Sequence, residues 1–165
     1  DAITCADLRR LERDHGLVAD DESYAKGNLL TTLGLNAITN LIIGGGGQAF
    51  NNAHAVIGVG ASSPTAAVGD TVLAANTGSA WHQGADASSP TQSNGVITCN
   101  STFTSSNGNF AWNEWGWFTV TGSITPSATL ASVGAGPVML NHKVQSLGTK
   151  VAGATWTLQA TITLS

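Results

Sequence analysis

The chain has 165 residues and a formal net charge of −4, and charged residues make up only 10% of it, against roughly 25% in an average soluble domain. The length suits one domain with a sizeable core, and the acidic balance offers no basic field for phosphate-driven binding of nucleic acid. Charge is also unevenly placed: residues 1–26 hold seven acids and four bases, and everything after them holds only Asp70, Asp86, Glu114, Lys143 and Lys150.

A body so poor in charge covers itself with Ser, Thr, Asn, Gln, Gly and Ala, and such a surface is weakly protected against association. No run approaches 18 apolar residues, so no membrane-spanning helix is expected. The charged beginning has no apolar signal core, so no secretory signal is expected. Cys5 and Cys99 read as free thiols, because a small disulfide framework usually has four or more cysteines.

In chain order, Thr4–His15 reads as a short helix with a thin stripe of Leu8 and Leu11, followed by Gly16 as a stop. A stripe this thin cannot hold three turns alone in water, so the segment needs a partner surface. Asp20, Asp21, Glu22 and Ser23 supply N-cap chemistry. A second helix is expected over about 22–42, with Leu30, Leu33, Ala37, Ile38, Leu41 and Ile42 forming one apolar face. Gly27 and Gly34 should weaken it, and Gly44–Gly47 ends it. Residues 1–47 therefore form a helical arm with a glycine-rich joint, and residues 48–165 a separate body.

In the body the period changes to two. Strands are expected at His54–Gly60, Ala80–Gln83, about 96–104, Phe110–Thr121, Val138–Leu147 and from Trp156 to Leu164, with a loop over Ala61–Leu73. Asn94-Gly95 and Asn107-Gly108 mark tight turns. Phe110–Thr121 carries aromatics on both faces and should be central. The last strand alternates Trp156, Leu158, Ala160, Ile162 and Leu164 with Thr and Gln, so one face is apolar and the other Thr-rich. The expected class is mainly β, an antiparallel β-sandwich or jelly-roll-like body with an N-terminal helical arm.

Candidate chemistry is sparse. Glu114, set among tryptophans, could have a raised pKa and act as acid or base. The competing and favoured reading is a buried carboxylate bonded to backbone or to another side chain. Glycoside hydrolysis needs two carboxyls, and Asp70 or Asp86 could accompany Glu114, but no spacing argues for it. His54, His82, His142 and Cys99 fall in no zinc spacing, and neither a nucleophile elbow nor a P-loop is present. No catalytic residue, cofactor or metal is therefore assigned. Trp81, Trp112, Trp115 and Trp117 could stack on sugars, but core and subunit interface are favoured for them. Leu8, Leu11, Leu30, Leu33, Trp81, Trp115 and Trp117 are the interface candidates.

Three stretches, Ile57–Leu73 (IGVGASSPTAAVGDTVL), Phe110–Phe118 (FAWNEWGWF) and Met139–Leu164 (MLNHKVQSLGTKVAGATWTLQATITL), resemble a recurring type of small tailed-bacteriophage virion protein. The resemblance spans most of residues 54–165 and leaves the arm out. It implies a non-enzymatic virion component, either a capsid decoration (cement) protein or a tail-fibre module. Decoration is favoured because a fibre usually has a long repetitive shaft. On that reading the partners are the major capsid protein and further copies of the chain, most simply a homotrimer, with no nucleic acid and no membrane. The place would be the capsid exterior of a virion assembled in the bacterial cytoplasm.

Overall fold

A computed structural model describes residues 29–75 and 77–163. The expected helix at Thr4–His15, the first part of the second expected helix and Cys5 lie outside the described residues.

Leu29–Leu30 forms a two-residue strand, β1, and α1 covers Thr32–Ile43. The start of α1 differs from the expected 22–42, and Thr31 is the reason. Its backbone is extended, its Oγ1 accepts from the Gly34 amide at 2.9 Å, and that hydroxyl donates to the Met139 carbonyl. The N-cap thus fixes the first turn of α1 while leaving β1 free to pair with another strand. Gly44, in the left-handed region at φ 70°, ends α1 with its amide on the Asn40 and Leu41 carbonyls.

The expected apolar face of α1 is corrected as well. Leu33, Leu41 and Ile42 are exposed, and the only fully buried residue is Gly34. A side chain at Gly34 would have its Cβ 2.1 Å from the Leu140 carbonyl oxygen. The glycine that weakens the helix by propensity is therefore its point of closest approach to the sheet.

The remaining elements are β2 (Ala55–Gly60), β3 (Ala80–Gly84), β4 (Thr91–Ser93), β5 (Val96–Phe103), β6 (Ala111–Thr121), a short helix α2 (Leu130–Val133), β7 (Ala135–Thr149) and β8 (Trp156–Thr163). They build two antiparallel sheets, one ordered β1-β7-β6-β2-β3 and the other β4-β5-β8. The body is mainly β and sandwich-like, as its alternating pattern implied. β4, only three residues long and fully exposed, is an element that the pattern did not suggest.

The main core lies between the sheets, where Ile57, Val59, Trp112, Trp115 and Trp117 meet Cys99, Phe103, Ala160 and Ile162. A second core covers the opposite face of the larger sheet, where Val56, Phe118, Val120 and Met139 meet Leu73, Leu130 and Val133. β6 is central, as its aromatics on both faces required, and all six residues of β2 beside it are buried. Strict alternation would put Trp112 on the face of Phe118. An irregularity in the β6–β7 register between Trp112 and Glu114 places it instead with Trp115 and Trp117.

Candidate functional site

β6 and β7 pair with Gly116 opposite His142 and Glu114 opposite Val144. Glu114 and His142 are therefore diagonal neighbours on one face, within reach of each other. Their side chains meet at 2.9 Å, Oε2 to Nε2. The other ring nitrogen, Nδ1, meets Asp70 Oδ2 at 2.6 Å. Asp70 arrives from the loop between β2 and β3, and its carboxylate also accepts from the Ala67 amide at 2.7 Å. Further along this loop the amides of Ala74 and Ala75 donate to the two oxygens of Glu114 at 3.0 and 2.7 Å. Gly60 lets the loop leave β2 close to this group, since a Cβ there would lie 2.6 Å from Glu114 Oε1.

Glu114 is wholly buried and Asp70 partly exposed. Burial alone would raise the Glu114 pKa, but the bonds from His142, Ala74 and Ala75 outweigh it and hold the group below the usual carboxylate range. The Ala67 amide, followed by His142, lowers Asp70 in the same direction. Burial works against a charged His142, yet Glu114 and Asp70 overcome it and raise its pKa. An imidazolium held between two carboxylates is the protonation state these shifts favour.

The arrangement settles what Glu114 is bonded to: two backbone amides and a histidine. Both nitrogens of His142 are engaged with carboxylates, so neither is free to activate a nucleophile. The imidazole also fills the space between Asp70 and Glu114 that a sugar would have to occupy in a two-carboxylate mechanism. Among the described residues no group of three His, Cys, Asp or Glu side chains is arranged to hold a metal ion. An open cleft of about 570 Å³ borders the cluster, lined by Leu29, Pro64, Ala66, His142, Lys143 and Val144.

The other sequence candidates are scattered. His82 is buried against the edge of the Phe118 ring, neither ring nitrogen has a hydrogen-bond partner, and burial pushes its pKa down to about 4. His54 Nδ1 bonds to the Val120 carbonyl. Cys99 is free, and burial raises its thiol to about 11. Asp86 bonds the Thr102 amide and hydroxyl.

Of the interface candidates, Trp115 and Trp117 lie in the core, with Trp117 stacked on Phe50, so neither offers a face to a sugar or a partner. Trp81 keeps partial exposure, Leu30 packs on the core, and Leu33 is exposed. Leu8 and Leu11 lie outside the described residues. No family model, curated protein or solved structure matches the chain.

Proposed function

We propose that this chain is a non-enzymatic structural subunit of a tailed-phage virion, a decoration protein that clamps neighbouring capsomers on the outside of the head. The supporting observation is where the charges of the body go. Glu114 and Asp70 hold His142, Asp86 holds Thr102, and Lys150, only 1% exposed, donates to the Thr104 carbonyl and Asn109 Oδ1. These charged side chains thus serve bonds within the chain, leaving a nearly neutral surface rich in Thr, Ser and Asn. Copies of such a body meet without charge repulsion and with no ion to desolvate at the contact. The resemblance of the three body stretches to virion proteins supplies the rest of the reading. A cyclic assembly, most simply a homotrimer, would use that neutral surface.

The test is stoichiometry. Quantified virion proteins should show this chain in numbers close to the shell protein, and a handful of copies per particle would sink the proposal. The half-exposed Trp81, whose indole nitrogen bonds Gln83 at 3.3 Å, keeps a second reading open, a tail-fibre module that binds host glycans. Under that reading Trp81→Ala should abolish binding to the host envelope.

A further inference from the structure

The smaller sheet ends on β8, which pairs with β5 alone and without a register shift: Trp156 lies opposite Phe103, Leu158 opposite Ser101 and Ala160 opposite Cys99. Which residues of β8 bond outward follows from the far side of β5. There the Asn100 amide donates to Ser89 Oγ, the Asn100 carbonyl accepts from the Asp86 amide, and the Thr102 amide donates to Asp86 Oδ1. Asn100 and Thr102 thus point their backbone groups away from β8. By alternation Cys99, Ser101 and Phe103 point theirs towards it and bond Ala160, Leu158 and Trp156. Thr157, Gln159, Thr161 and Thr163 therefore turn their amides and carbonyls to the free edge, and no described residue bonds them there.

The other described edges are short or bridged. β1 has two residues and β4 three, and β3 is bridged at His82 by Ser127. β8 has eight residues, with no charge, no proline and no bulge, the devices that ordinarily keep a strand edge from pairing. Its sequence also matches itself when it runs antiparallel about Ala160. Thr157 then faces Thr163 of a second copy, Gln159 faces Thr161, and the partly exposed Leu158 faces Ile162. Each polar pair occurs twice about the axis and exchanges two bonds, so eight main-chain hydrogen bonds form, against about 10 in an ordinary protein interface. A second β8 brings this register with it and leaves no ion to desolvate.

We propose that β8 is the contact between two copies of this chain, which pair edge to edge about a two-fold axis at Ala160 and join their three-stranded sheets into one. The contact is narrower than a standard interface, so pairing follows concentration. The inference is independent of the virion reading, because it concerns two subunits in solution.

Hydrogen exchange on the full chain reads the pairing residue by residue. The Leu158, Ala160 and Ile162 amides face β5 and should exchange slowly throughout. Those of Gln159 and Thr161 should slow several-fold between about 10 µM and about 1 mM chain, the range in which weak interfaces form. In a mixture of isotope-labelled and unlabelled chains, an inter-chain cross-peak should join the Cα protons of Ala160 in the two copies, about 4.5 Å apart at their carbons in such a pair. Thr161→Pro removes an outward amide, which an edge strand tolerates, and should abolish the slowing at Gln159 while the signals of β2 and β6 keep their positions. Fast exchange at both concentrations overturns the proposal. Protection without the cross-peak also overturns it, since another segment or another strand would then cover the edge, as does slowing that persists in the variant. Should the variant not fold, the two measurements on the parent chain decide alone.

Discussion

On one face of the five-stranded sheet, Trp112, Trp115 and Trp117 meet Cys99, Phe103 and Ala160 of the smaller sheet. On the other face Glu114, His142 and His82 lie beneath a loop and a short helix, beside Phe118 and Val120. The first contact is aliphatic and aromatic area that has no titrating carboxylate or histidine. The second places three ionisable side chains under cover, and the loop over them is tied down at Asn113, Thr32, His142 and Glu114. One face therefore holds at any moderate pH, and the other holds over a window.

Removing the anchor of the dry face should have the largest effect. Trp117→Ala should lower the unfolding free energy by about 3–5 kcal/mol in urea titration, the range for deleting a buried aromatic. An effect below 1 kcal/mol would mean that the face does not depend on it. On the wet face, His142→Ala leaves Glu114 buried with two amides and no cation. A loss approaching about 3–5 kcal/mol is expected, as for a broken buried ion pair. It should be accompanied by faster hydrogen exchange at Ala74 and Ala75, which Trp117→Ala should not cause at matched stability.

Acidity tests the same face without mutation. Burial lowers the pKa of His82 from its ordinary 6.5 to about 4 in the folded chain, so between those pH values the unfolded chain binds a proton that the folded chain refuses. Stability should fall by about 3 kcal/mol as pH drops from 6.5 to 4, and His82→Phe should flatten that slope. Asp70 and Glu114, both lowered, add to the loss at more acid pH, below their unfolded values. His142 works in the opposite direction, because its raised pKa gives stability that is complete below its unfolded value and lost as pH rises through the folded one. Chemical denaturation repeated from pH 4 to 9 should therefore trace a dome in the parent chain. The smallest expected effect is at the helix start: Thr31→Ala should cost about 1 kcal/mol by loss of the cap, read as a shift in the urea midpoint.

Much of the body was legible because strand alternation is a local signal. The six longer strands follow from it, and the crowding of tryptophan and phenylalanine on both faces of β6 marked it as central. β1 and β4 left no such trace, being two and three residues long. The start of α1 was misplaced because apolar spacing continues through Leu30, while the hydrogen bonds of Thr31 that interrupt it reach across to β7. The cluster of Asp70, Glu114 and His142 was hidden for a similar reason. Its members lie 28 and 72 residues from His142, and only the strand register brings two of them together. Glu114 stood out as a carboxylate among aromatics, whereas Asp70 and Asp86 were equal candidates to accompany it, with no spacing to choose between them. The pairing that would have exposed the cluster, Gly116 opposite His142, depends on irregularities in a ladder that alternation alone cannot place.

The burial of Lys150 has a practical consequence for how the folded body meets a protease. Beyond residue 26 the chain offers trypsin only Lys143 and Lys150. Lys143 sits in the middle of a strand paired to β6, and Lys150 is folded away between the Thr104 carbonyl and Asn109. The folded body thus presents almost nothing that a basic-specific protease can grip.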